Sequence, residues 1–317
     1  MMKVTHFSVG VDVSKSWLDV CINPQNESYK FHNSTKGISS LLKMLSGYSI
    51  HQIACESSGG YENLLLNLCA DAGYNVWQID PKRIKAFIMS QGVKAKTDKI
   101  DAKMIARFAA QQEPEYVKQK RTDNNDKISA LVRRKTDLTE IAAVEKKRLK
   151  GPTGYHCKDR IENLLIFINK EINELTAEIE SLIAQDSEMK ERKEILESIP
   201  GIGATTAAAL IADMPELGKI ENKQAAALLG VVPYTKQSGM YQGVESISGG
   251  RAAPRQALYM AALTAARFNP VMKDFYNRLR SNGKKPKVAV VAVMNKLIVT
   301  SNAMLKKKTK WTVTATS

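Results

Sequence analysis

Apolar positions in the first third of the chain recur first at strand spacing and then at helix spacing. Short β-prone runs cover residues 7–13, 17–22 and 29–32, separated by turn formers such as Asn23, Pro24 and Asn26; this pattern predicts strands joined as hairpins. Over 35–45 the residues Ile38, Leu41, Leu42 and Leu45 fall on one helix face. Next come a predicted strand over 51–55, a helix over 61–72, a strand over 74–79 and a helix from Pro81. Proline directly after Asp80 marks a first helical turn. Residues 97–111 continue as a helix with Ile100, Met104, Ile105 and Phe108 on one side. Three strands followed by alternating helices and strands predict an α/β domain.

The pattern then becomes helical. A basic helix is predicted over 126–150, carrying Arg133, Arg134, Lys135, Lys146, Lys147, Arg148 and Lys150, and Gly151-Pro152-Thr153-Gly154 breaks it. Beyond the break, Ile161, Leu165, Ile168, Ile172, Leu175, Ile179 and Leu182 keep an unbroken four-three spacing, the apolar seam of a coiled coil. Such a seam is buried either against the basic helix of the same chain or against its own copy in a second subunit. From about Glu197 the chain is rich in Ala and Gly and mostly helical. Its last predicted helix covers 284–305, and Lys306, Lys307, Lys308 and Lys310 form a solvated basic tail. The expected organisation is a domain over 1–125, a helical coiled-coil connector over 126–190 and a mostly α domain over 191–317.

Charge narrows the partner. Lys and Arg number 47 against 32 Asp and Glu, a net +15 in 317 residues, which calls for a polyanion, either nucleic acid or an acidic membrane surface. Apolar runs such as 288–294 fall short of the ~18 residues that span a bilayer, and residues 1–10 lack the layout of a signal peptide. The expectation is a cytoplasmic protein without a membrane partner. Four cysteines with no CxxC pair argue against a zinc site or a disulfide framework, and His156–Cys157 reads as an incidental loop pair.

Four carboxylates stand in settings that suit metal chemistry. Asp12 interrupts the apolar strand VGVDVSK, where an unpaired charge is costly to bury. Glu56 follows the strand QIAC and precedes Ser57-Ser58-Gly59-Gly60. Asp98 and Asp101, in KTDKIDAKMIARF, share a face near a helix start. Hard oxygen ligands of this kind suit Mg²⁺, and such ions can clamp the attacking and leaving oxygens of a phosphodiester. Each residue alone also has a plain explanation: Asp12 paired with Lys15, Glu56 as a turn residue, Asp98 and Asp101 at a positive helix end. Further on, Pro200-Gly201-Ile202-Gly203 before ATTAAALIA resembles a helix-hairpin-helix turn, in which Gly201 and Gly203 offer backbone N–H groups to phosphate; an ordinary interhelical turn has the same look. Ser238 precedes Gly239 in an expected turn, and Lys236, Arg251 and Arg255 nearby could stabilise a phosphoryl oxygen.

Together these motifs resemble the one-hundred-and-ten family of insertion-sequence transposases, which includes Piv-type DNA invertases. VGVDVSK, CESSGGYE and KTDKIDAKMIARF match its N-terminal DEDD pattern, and IPGIG, GVVPYTKQSG and ISGGRAAPRQALYMAA its C-terminal transposase pattern. The resemblance implies a ribonuclease-H-like, Holliday-junction-resolvase-like N-terminal domain with Asp12, Glu56, Asp98 and Asp101 as Mg²⁺-binding catalytic residues. It also implies Ser238 as a nucleophile. From their own settings, Gly201, Gly203, Lys236, Arg251, Arg255, Arg133 and Arg134 are the expected nucleic-acid contacts. Expected partners are donor and target DNA, a structured guide RNA and further copies of the chain as a dimer or tetramer, with the acidic domain of one subunit meeting the serine domain of another. Two other readings are a structure-selective Mg²⁺-dependent DNA nuclease in which Ser238 is structural, and a nucleic-acid-binding protein without catalysis.

Overall fold

A computed structural model describes residues 7–92, 97–113, 122–234, 237–238, 241–242 and 246–312, with the backbone alone for Thr153 and for residues 237, 238, 241 and 242. It comprises two units, Met1–Lys120 and Arg121–Ser317. The connector and the C-terminal segment distinguished in the sequence therefore fall together in the second.

The first unit runs β1 (Phe7–Val13), β2 (Trp17–Asn23), β3 (Glu27–His32), α1 (Thr35–Leu45), β4 (Ile50–Glu56), α2 (Asn63–Asp71), β5 (Val76–Ile79), α3 (Pro81–Ser90) and α4 (Asp98–Gln111). The strands form one sheet in the order β3-β2-β1-β4-β5. β2 pairs antiparallel with β1 and β3, whereas β4 pairs parallel with β1 and β5, so the unit is α/β with a mixed sheet. Alternation along each strand assigns its two faces. Val9, Val11, Val13, Leu18, Val20 and Ile22 point to one side and pack with Ile38, Leu41 and Leu45 of α1 and Leu65, Leu66 and Cys69 of α2. On the other side Cys21 meets Ala102 and Ala106 of α4, and Ala54 packs with Ile105 and Phe108 of α4 and Ile84 of α3.

Gly10 makes this second face possible. A methyl group on its Cα would overlap the backbone of Ala102 and Ala106. Three small residues in register thus let α4 lie directly on β1. At the far end of α4, the buried Gln52 side chain donates to the carbonyls of Ala109 and Gln112, satisfying acceptors that the helix end leaves open.

The second unit opens with α5 (Asp123–Leu149) and α6 (Pro152–Ala184). Thr122 and Asn125 form a reciprocal capping box at the start of α5. The two helices turn back on each other, and Leu138 and Ala142 of α5 pack against Ile161, Leu165 and Ile168 of α6. Lys127 and Glu178, 2.8 Å apart, bridge the open end of the pair. The apolar seam thus has a partner in the basic helix of its own chain.

Then follow α7 (Ser187–Glu197), α8 (Ala204–Asp213), α9 (Asn222–Leu229), α10 (Ala252–Phe268), α11 (Pro270–Ser281) and α12 (Pro286–Lys307). Between α9 and α10 lies a ribbon that the helical reading of this segment did not foresee. β6 (Pro233–Tyr234) pairs antiparallel with β9 (Ser246–Ile247), and β7 (Gln237–Ser238) pairs antiparallel with β8 (Tyr241–Gln242). Ser238 therefore stands in a strand and not in a turn. The sequence reading of short apolar runs near 288–294 also needs correction. By length and composition α12 could cross a membrane, but Ala289, Val290, Val293, Met294, Leu297 and Ile298 are buried core of this unit.

The Gly10 contact is testable. Gly10→Ala is expected to cost about 3 kcal/mol of folding stability by forcing two backbones apart, read as a lower denaturant midpoint; a midpoint equal to that of the parent would show that α4 does not lie on β1.

Candidate active site

The carboxylates occupy one end of the first unit's sheet. Asp12 is two residues beyond Gly10 on β1, so both face α4. Glu56 ends β4 and is two residues beyond Ala54, which packs on α4 in the same way. Asp98 and Asp101 lie in the first turn of α4, whose N-cap Thr97 accepts from the Ile100 N–H. Asp98 precedes Ala102 by one helical turn, so the contact of Ala102 with Gly10 carries Asp98 toward the Asp12 end of β1. Asp98 is exposed, and Asp12, Glu56 and Asp101 are partly exposed.

A fifth carboxylate, not singled out from the sequence, joins them. Asp19 is directly opposite Asp12 in the β1–β2 register and nearly buried, with Lys30 Nζ 3.3 Å from its Oδ2. Its signal was a charge inside the apolar strand WLDVC, the same as that of Asp12. Burial and the charges of Asp101, Asp98 and Asp19 push the Asp12 carboxyl up to about 6, with the Val13 N–H opposing them. An acid that resists ionisation because it is buried beside like charges, with hard oxygen donors around it, suits a divalent cation. Among the described residues, however, no three such side chains stand close enough together to enclose an ion.

The turn after Glu56 is built around the buried Glu62. Its Oε2 accepts from the Ser58 N–H (3.2 Å), the Ser58 hydroxyl (2.9 Å) and the Gly60 N–H (2.8 Å), and Gln78 Nε2 donates to its Oε1 at 2.5 Å. Burial alone would raise the Glu62 pKa, but these hydrogen bonds outweigh it and the net shift is downward.

In the second unit Ser238 pairs with Tyr241 in the ribbon, and Lys236 lies outside the described residues. Arg251 reaches inward. It forms a bidentate pair with the fully buried Glu216, 2.7 Å on each arm, and donates to the Asp213 carbonyl at 2.6 Å. Arg255 donates to the carbonyls of Leu229 and Gly249. Arg255 thus holds the ribbon's base, while Arg251 ties the start of α10 to the end of α8 and the loop after it. Gly201 adopts φ +110° and packs against Ala265 of α10 so closely that a side chain would overlap it. Gly203 is the N-cap of α8 without a side-chain cap and has open space around it. Arg133 and Arg134 are exposed on α5, with Arg133 3.8 Å from the buried Asp213.

Comparison with known proteins covers most of this layout. Residues 9–151 match a transposase family of the DEDD type found in IS110 elements, and residues 193–277 match the transposase IS116/IS110/IS902 family. The chain belongs to the IS110 family. As a member it is a transposase and DNA recombinase, and the DEDD match points to divalent-metal dependence. A "Pilin gene-inverting protein" of Moraxella bovis is 27% identical over 309 residues, spanning 94% of this chain and 95% of that protein. An "Insertion element IS110 uncharacterized 43.6 kDa protein" of Streptomyces coelicolor is 26% identical over 144 residues, 45% of this chain and 35% of that one. Among solved structures, T. thermophilus RuvC in complex with a Holliday junction substrate resembles 33% of this chain and 93% of its own, at 14% identity and a TM-score of 0.28, a likeness too slight to add to the fold described above.

Burial of Asp12 among other carboxylates gives the IS110-family chain a signature in its stability. Folding raises the Asp12 pKa from 3.8 to about 6, so between those values the folded chain holds a proton that the unfolded chain has lost. The resulting stabilisation is complete below about pH 4 and is lost as the pH rises through about 6. Without metal, Asp12→Asn is expected to melt at a higher temperature than the parent at pH 7, with the difference closing below about pH 4. Equal melting temperatures at pH 7 in chelator would contradict the burial and crowding of this carboxyl.

Proposed function

We propose that this IS110-family enzyme cuts and rejoins DNA strands through a transient phosphoserine at Ser238, assisted by Mg²⁺ at Asp12, Glu56, Asp98 and Asp101 and directed by a structured RNA. The observation that carries this reading is the acidic cluster. Strand ends and a helix start bring carboxylates together at a cost that shows in the Asp12 pKa, and such perturbed groups concentrate at functional sites. Mg²⁺, when bound, neutralises phosphoryl oxygens and favours ionisation of an attacking hydroxyl. The carboxylates hold it, and Asp19 keeps Asp12 under electrostatic pressure.

In the chemical step, Ser238 Oγ loses its proton and forms a bond to phosphorus while one P–O bond of the DNA backbone breaks. The leaving oxygen takes up a proton. A released DNA hydroxyl later attacks the phosphoserine and restores the serine, so the energy of the broken linkage is conserved. Arg133 and Arg134, exposed on α5, contact backbone phosphates. The turn at Gly201 and Gly203 offers the N–H groups of α8 to phosphate in the manner of a helix-hairpin-helix. The net charge of +15 suits an RNA and DNA load carried by an assembly of two or more copies.

Ser238→Ala is expected to bind DNA and RNA but to give neither protein–DNA adduct nor recombinant, as read on a denaturing gel with labelled DNA. An adduct formed by the alanine variant would remove Ser238 from the role. Cleavage without any adduct in the parent would favour the structure-selective nuclease.

Asp12→Ala and Asp98→Ala are expected to lower recombination at least ~100-fold with nucleic-acid binding kept, since each removes a ligand from the metal site. Near-normal recombination by either variant would sink the metal-site assignment.

A further inference from the structure

The parallel ladder between β1 and β4 ends at Val11↔Cys55, one residue short of both Asp12 and Glu56. Asp12 is still held on its other side by β2, and Glu56 by β5. Nothing in the ladder fixes the gap between the two carboxylates themselves. Past that point, the side-chain amide of Asn33 crosses the gap. Asn33 directly follows β3, and its backbone N–H donates to the Ser16 carbonyl at 2.9 Å, seating it beside the β1–β2 turn. Its Nδ2 then donates to the Ser14 carbonyl at 2.9 Å, two residues after Asp12, and to the Tyr61 carbonyl at 3.0 Å, in the turn after Glu56. One –NH₂ group therefore ties the two chain segments that leave the acidic site.

We propose that Asn33 is a positioning residue of the acidic site, setting the separation of Asp12 and Glu56 by clamping the Ser14 and Tyr61 carbonyls to one amide. The inference rests on the reading of those carboxylates as metal ligands. An amide suits the task because it has two N–H donors in one plane and reaches two carbonyls at once. The far side of the same turn is already fixed by Glu62, so a shift at Tyr61 moves the turn as a piece. Loss of the clamp leaves both strands paired on their outer sides and frees the carboxylates to part. A partner that orients ligands without touching the metal typically contributes ~10–100-fold to metal affinity.

The test uses the full chain with Mn²⁺ as probe, measured by isothermal titration beside Mg²⁺-dependent DNA strand cleavage. Asn33→Asp has the same shape but turns an acceptor toward two carbonyls; Asn33→Ala removes the donors without adding charge and serves if the first variant does not fold. Either variant is expected to weaken Mn²⁺ binding at least ~10-fold and to shift cleavage to higher Mg²⁺, with activity recovering at saturating metal and DNA affinity unchanged. Leu45→Ala, a core truncation on the opposite face of the sheet, is the control for general loosening and is expected to lower the melting temperature but not Mn²⁺ affinity. Parent-like Mn²⁺ affinity in the Asn33 variants, or an equal loss in Leu45→Ala, would overturn the proposal. Mn²⁺ binding by the parent that is insensitive to Asp12→Ala would instead bring down the metal-site reading, and this proposal with it.

Discussion

Close approach of two backbones at Gly10 underlies the first unit. An α-helix normally stands off a sheet by the length of its side chains. Here Gly10, Ala102 and Ala106 leave nothing between them, and α4 rests on β1. That contact sets the height of the first turn of α4, so Asp98 and Asp101 arrive beside the ends of β1 and β4. The crowding that follows opposes folding, and the layers around it offset the cost. On one face, valines of β1 and leucines of α1 and α2 form a fully buried core; on the other, Trp77, Phe87 and Phe108 pack ring against ring. The positive end of α4 further offsets the charge of its two aspartates.

The second unit distributes its charge unevenly. Glu216 is fully buried and takes both arms of Arg251, and the buried Asp213 accepts from Ser129 at 2.6 Å. Removing one member of such a pair strands the other without solvent, which costs several times more than breaking an exposed ion pair. The exposed pairs, among them Lys170–Glu174 and Lys308–Glu191, add little to stability. A net charge of +15 thus overstates what is available to a polyanion at some positions, and Arg251 is the clearest case.

Period made much of this architecture legible. Strands β1 to β3 and helices α1 and α4 followed directly from spacings of two and of three to four, and the apolar seam of α6 announced burial. Spacing said only that the seam was covered, and its cover, α5, emerged from packing. Asp12 stood out as a charge in an apolar strand. Asp19 bore the same mark, but its importance rests on a cross-strand register that no local window contains. The ribbon escaped because strands of two residues have no period. Glu216 and Arg251 are 35 residues apart, so nothing in either neighbourhood signals the other. Arg251 and Arg255 looked like free cations for the same reason.

The ribbon leaves and re-enters the helices at nearly one point. A side chain on Gly250 would overlap the Gly230 backbone and one on Gly230 the Gly249 carbonyl, the Arg251 N–H bonds the Leu228 carbonyl, and Arg255 spans Leu229 and Gly249. A segment whose ends already meet adds little closure entropy when it grows, roughly 0.6 kcal/mol per doubling of length. Insertions or deletions between those glycines therefore leave α9 and α10 in place. Descendants of this chain can vary the reach of the serine-bearing segment over evolutionary time at almost no expense to the scaffold beneath it.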